Sequence, residues 1–188
     1  MTKKKVVDLT LVKNQMDHLP SYEISYDSRA VANRILLKSR IKNQGIDSLS
    51  ASMLMKLVYF SHGWSLVFSD VSLVSQSPTA GHYGPRYGEI YEPFSGYCGF
   101  PIKTLIVNEE TKLPYSGFFT ENQNKVMDFV LEKYEEYFHP SFSFDSENQQ
   151  GAPWDIIRKN YGTYFEMPND LMKTYYTEKA KQKGISTI

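Results

Sequence analysis

Lys56-Leu57-Val58-Tyr59-Phe60-Ser61-His62-Gly63-Trp64 is the stretch on which the fold turns. Around it, Leu49, Met53, Leu57, Phe60, Trp64 and Phe68 recur every three or four residues. This spacing predicts a helix, opened by Ser48 or Ser50, that buries one side and forms the centre of the core. Gly63 lies inside it and costs about 1 kcal/mol relative to alanine, so a close approach by another element is expected there. Lys56, Ser61, His62 and Ser65 break the apolar run. It stays well short of the roughly 20 apolar residues needed to cross a bilayer.

Working towards the N-terminus, Val31, Ile35 and Leu36 lie at helical spacing behind Asp27 or Ser28, either of which can cap a helix. Gly45 is a natural stop, which places this first helix over about Ser28 to Gln44 with Arg34, Lys38 and Arg40 facing out. Residues 1–26 show no sustained period and read as a lead-in that is mobile unless it docks. Residues 27–188 then form one domain.

Towards the C-terminus, β-branched and small residues from Ser69 to Tyr83 predict two short extended pieces around a turn. Pro85 is expected at the first position of a short helix through Tyr91 that Pro93 ends. Ile102 to Val107 reads as a strand, and 108–117 as turns. Thr120 and Gln123 form a capping box ahead of Val126, Phe129, Val130, Lys133, Tyr134 and Tyr137, a helix that Pro140 terminates. Pro153 opens a helical turn with Trp154, Ile156 and Ile157. A last helix runs from about Asn169 to Lys183, with Leu171, Met172, Tyr175 and Tyr176 inward and a basic end that suits its dipole. The fold class is therefore α+β, mainly α-helical: a compact helical domain with a small antiparallel β element.

The chain has 188 residues, with 21 basic and 21 acidic side chains and a formal net charge of zero. Both nucleic acid and anionic membrane normally call for a basic excess, so the balance argues against either as a partner. The single cysteine, Cys98, rules out an intrachain disulfide framework, and a reducing cytoplasm fits best. The basic start Lys3-Lys4-Lys5 is not followed by the apolar stretch of a secretion signal. Aromatic residues make up 14% of the chain, with 14 tyrosines, a composition that serves both a half-buried core and a protein interface.

Residues that carry chemistry are few. Neither a Walker pattern nor a dinucleotide fingerprint occurs. The four histidines, His18, His62, His82 and His139, show no metal-binding spacing. Cys98 sits in the turn-like Gly96-Tyr97-Cys98-Gly99 without a neighbouring base. The pairs Glu109-Glu110 and Glu135-Glu136 read as solvated faces rather than an acid/base dyad. No catalytic residue, metal site or cofactor is expected. Two islands stand out instead: the helix stretch followed by Tyr83-Gly84-Pro85, Ile90-Tyr91 and Phe94, Gly96, Tyr97; and the late Gly151-Ala152-Pro153-Trp154. Trp64 and Phe60 read as core. His62 lies off the stripe, which leaves it a half-buried hydrogen-bonding residue or a surface contact. Trp154 reads as a core anchor at a helix start, or else as an interface aromatic.

In order and spacing, these islands resemble the Panacea domain family, which includes GepA-like phage-associated proteins and the antitoxin SocA. The resemblance runs over about residues 28–180. It implies a non-enzymatic protein that neutralises a protein toxin by direct binding; a related member delivers its toxin to a ClpXP-type protease. Gly81, where the family commonly has Trp, and Glu147-Asn148, where it often has Thr-His, depart from the pattern. The partner-binding residues expected are His62, His82, Tyr83, Arg86 and Tyr87. Other readings are a phage-borne inhibitor of a host defence protein, an adaptor to a host protease, and a hydrolase using His62 or His82 with a distant acid.

Overall fold

The structure, a computed structural model, describes residues 24–97, 99–134 and 150–186. Most of the lead-in, Cys98, the Glu135-Glu136 pair, Tyr137, Pro140, His139 and Glu147-Asn148 lie outside the described residues, and so do the expectations that rest on them. Among the described residues there are six α-helices and one two-stranded antiparallel sheet, an α+β arrangement that is mainly helical.

Helix α1, Ser28–Lys42, starts where Asp27 accepts a hydrogen bond from the amide of Arg29. Helix α2, Ala51–Phe68, starts at Ser50, whose hydroxyl caps the amide of Met53. An N-cap of this type satisfies one amide that the helix itself leaves open. Leu49, expected inside α2, lies just ahead of it and is buried all the same.

Every residue from Leu54 to Leu66 is buried, so the expectation of burial along one side is too modest. Four helices and the sheet pack around α2: α1, α3 (Gly88–Phe94), α4 (Glu121–Lys133) and α6 (Asn169–Lys183). A helix enclosed this way cannot keep a solvated face. The close approach expected at Gly63 is present, for a Cβ there would overlap the ring atoms Cε2 and Cδ2 of Tyr176 on α6.

Aromatic rings fill the junction of α2, α4 and α6. Trp64 stacks on Phe68 with centroids 5.3 Å apart and meets Phe129 and Tyr176 edge-on at 5.2 and 5.3 Å. Its indole N–H donates to the Tyr134 hydroxyl at 3.1 Å, and Phe60 stacks on the Tyr134 ring at 4.3 Å. Pairs of this kind add roughly 0.5–1.5 kcal/mol each beyond their buried area.

The capping box of Thr120 and Gln123 opens α4 as expected. The stretch Ile102 to Val107 is not a strand. Ile102 donates its amide to Leu49, and Val107 forms only an isolated bridge with Pro114. Buried Asn33 holds this segment instead: its Nδ2 donates to the carbonyls of Ile106 and Tyr115 at 2.8 and 2.9 Å, and its Oδ1 accepts from the amide of Ile106 at 2.8 Å. One side chain thus does the work of a neighbouring strand, because buried backbone groups must be satisfied by something.

Strands β1, Thr79–Gly81, and β2, Gly84–Arg86, form a hairpin around His82 and Tyr83. Pro85 therefore sits in a strand and does not begin α3. It lies opposite Ala80, whose amide and carbonyl turn away to Phe165 and Tyr164 at 2.9 and 2.8 Å. A position that faces no ladder hydrogen bond tolerates proline. Pro93, expected to end α3, lies inside its last turn. Helix α5, Pro153–Tyr161, completes the set, with Pro153 in its first turn.

Candidate functional site

The hairpin is clamped from two sides. Trp154 on α5 donates its indole N–H to the Gly81 carbonyl at 2.8 Å, and Arg158, one turn on, donates to the His82 carbonyl at 2.8 Å while lying over the Trp154 ring. On the other edge the 164–167 segment bonds β1 and the residue before it, through Ala80 and Pro78. The Tyr83-Gly84-Pro85 part of the first island and the Pro153-Trp154 part of the second thereby serve a single assembly over the start of α2.

A cleft of about 240 Å³ opens between that hairpin and the first turns of α2. Ser52, Met55 and Lys56 form its helical wall, and the hairpin from Gly81 to Arg86 forms the other, with Tyr91 and Tyr164 at its margin. Gly84 has φ +129°, and a Cβ on it would come within 3.4 Å of Lys56 Cε. The turn lies against the lysine stem, and glycine is favoured at residue 84 by its positive φ rather than by lack of room.

Lys56 is only 8% exposed, and burial lowers its ammonium from the ordinary value of 10.5 to about 8. Taking an ammonium out of water disfavours its charged form. Arg86 comes from β2. Its guanidinium lies 4.5 Å from the Tyr91 ring centroid and 5.6 Å from that of Tyr164, and donates to Glu92 at 3.0 Å. His82 meets the Tyr164 ring edge-on at 5.4 Å. Tyr83, at the tip, is 89% exposed.

Of the five partner-binding residues expected from the sequence, His82, Tyr83 and Arg86 are brought together at this cleft. Tyr87 and His62 are not surface residues. Tyr87 is buried beneath the hairpin, where burial pushes its phenol well above the ordinary range. His62 is fully buried in α2, and the reading of it as half-buried or as a surface contact is corrected. Its Nδ1 accepts from the amide of Val74 at 3.1 Å, so Nε2 carries the proton and donates to Asn169 Oδ1 at 2.9 Å. An amide can only donate, which fixes the neutral tautomer. Burial lowers the pKa of this imidazole, opposed by the Asn169 hydrogen bond. His62 and His82 share no cleft.

Sequence reasoning misses Lys56, Tyr91 and Tyr164 as site residues. A signal for Lys56 is present: it is the one charged residue between Met53 and Phe68, inside the most apolar helix of the chain. Tyr164 has none, since it reaches the cleft only by the fold of the α5–α6 connection. Among the described residues no group of three or more histidine, cysteine, aspartate or glutamate side chains is placed to hold a metal ion, and no helix is long and apolar enough to cross a membrane.

No curated protein and no solved structure matches the chain significantly. The family described as antitoxin SocA-like, Panacea domain, matches residues 54–155, which takes in α2, the hairpin, α3, α4 and the Pro153-Trp154 start of α5. That is more than half of the sequence and contains both clamped islands, so this chain belongs to the antitoxin SocA-like family of the Panacea domain.

Proposed function

We propose that this chain is an antitoxin that neutralises a cognate protein toxin in the cytoplasm by direct binding, without catalysing a reaction. Family membership supplies the class of partner. The observation that carries the binding mode is Tyr83, 89% exposed at the tip of a hairpin whose backbone is clamped by Trp154, Arg158 and the 164–167 segment. Tyr164, which lines the same cleft, is 51% exposed. Large aromatics on a rigid support lose little freedom on binding and dominate the affinity of protein interfaces.

Co-expression with a reading frame adjacent to its gene tests this reading. Rescue of growth and recovery of a stable complex by affinity purification are expected, and Tyr83→Ala should weaken both. Rescue that disappears in a host lacking its ClpXP-type protease would favour the adaptor reading. A chain that rescues from no neighbouring toxin but blocks a host defence protein would favour the phage-borne inhibitor.

A further inference from the structure

We infer that Tyr164 is a contact residue for the protein partner, kept for its ring although the backbone beneath it is strained. This rests on the reading that the partner is a protein toxin, and it adds to Tyr83 a second aromatic of the same cleft, held in place by a different segment of the chain.

Among the described residues four that are not glycine have positive φ: Gln44, Asp70, Lys112 and Tyr164, at 54°, 58°, 59° and 68°. The first three are polar, and only Tyr164 of the four lines the cleft. For a bulky side chain the left-handed region is a steric outlier, and such strain persists only where the surroundings over-determine the conformation. Here the main chain does so. The Tyr164 amide donates to the Ala80 carbonyl at 2.8 Å, the Ala80 amide to the Phe165 carbonyl at 2.9 Å, and the Met167 amide to the Pro78 carbonyl at 2.8 Å. None of these bonds needs a ring at residue 164, and glycine or asparagine would make them with less strain.

The ring itself does little for the fold. It is half exposed, meets the exposed His82 edge-on at 5.4 Å, and lies with its centroid 5.6 Å from the Arg86 guanidinium. Arg86 is held more closely by the Tyr91 ring at 4.5 Å and by Glu92 at 3.0 Å, so it keeps its place without Tyr164. Strain at a cleft residue whose side chain returns so little to the folded chain points to contact with something outside it. A ring fixed by its backbone loses little freedom when a partner closes over it. Exchanging water for a partner at the hydroxyl gains little, so the ring carries the contact.

The test uses the full chain, with the purified product of the adjacent reading frame as the toxin. Tyr164→Asn removes the ring and leaves a residue that the left-handed region tolerates, whereas Tyr164→Phe keeps the ring and removes the hydroxyl. Tyr164→Asn should show an unchanged or higher urea midpoint together with toxin binding weakened at least about tenfold. Tyr164→Phe should bind within about threefold of the unaltered chain. A lower midpoint in Tyr164→Asn and Tyr164→Gly alike would mean that the ring is kept for the fold. Undiminished binding by Tyr164→Asn would mean that the partner does not touch the ring, and equal weakening in Tyr164→Phe would place the contact on the hydroxyl. Each of these results overturns the inference and leaves the antitoxin reading in place. If the unaltered chain binds no toxin, the antitoxin reading falls and this inference with it, so that control tells the two failures apart.

Discussion

The indole N–H of Trp154 and the carbonyl oxygen of Gly81 lie 2.8 Å apart, joining residues 73 positions distant in the chain. That contact sets the end of β1, and with it the height of the His82-Tyr83 turn above α2. It also explains why two short motifs far apart in sequence belong together: one is the turn and the other is its brace.

Replacing Trp154 by Phe keeps a ring over β1 and removes the donor. The expected loss is about 1 kcal/mol of stability by urea unfolding, the usual size for one intramolecular hydrogen bond, with toxin binding weakened because the turn is no longer held. Trp154→Ala removes the packing as well and should lower both further.

At Gly63 an added methyl group raises helix propensity but runs into the Tyr176 ring. Overpacking a tight core typically costs about 1–3 kcal/mol, which outweighs the gain in propensity of about 1 kcal/mol. Gly63→Ala should therefore lower the urea midpoint, and an unchanged or higher midpoint would mean that α2 and α6 are not pressed together there.

His62 makes stability depend on pH. Its pKa is held below the ordinary 6.5 in the folded chain by burial, so the unfolded chain takes up the proton first. Its contribution is complete above pH 6.5 and is lost as pH falls towards and through the lowered folded value. Unfolding midpoints should fall over this window, and the fall should flatten in His62→Gln.

Lys56 acts at the other end of the scale. Its folded value of about 8 lies below the 10.5 of the unfolded chain, so stability should rise as pH climbs from about 8 towards 10.5. Lys56→Met should remove that rise and raise stability at neutral pH, on the order of 1 kcal/mol, as replacing a buried charge by an apolar residue of similar shape often does.

Asn33 is the latch of the 102–119 segment. Asn33→Asp places a carboxylate against the carbonyls of Ile106 and Tyr115, where a donor is required. It should cost about 2–3 kcal/mol or more, and amide hydrogen exchange should speed up at Ile106 and Tyr115 ahead of the helical core.

The helices are legible in the sequence because their signals are local: Ser50, the Thr120-Gln123 box and the spacing of Leu57, Phe60 and Trp64 each act within one or two turns. What escapes reading depends on neighbours distant in the chain. Pro85 looks like a helix start because only the turning of Ala80 towards Phe165 and Tyr164 makes a strand acceptable there. His62 looks half-exposed because the residues that cover it, Val74 and Asn169, come from separate segments. Ile102 to Val107 carries strand-like residues, and the side chain of Asn33 takes the place of a partner strand. The cleft is half legible: the turn His82-Tyr83 with Arg86 is expected, whereas Lys56 and Tyr164 join it through the packing of α2 and the α5–α6 connection.

Titration of the purified toxin with the purified chain, with no protease and no ATP present, tests direct binding as the basis of neutralisation. Toxin activity should fall in proportion to added chain and reach its floor at a fixed molar ratio, with both proteins recovered intact in one complex. Full toxin activity in the presence of excess chain, or inactivation of many toxin molecules by each chain, would contradict it.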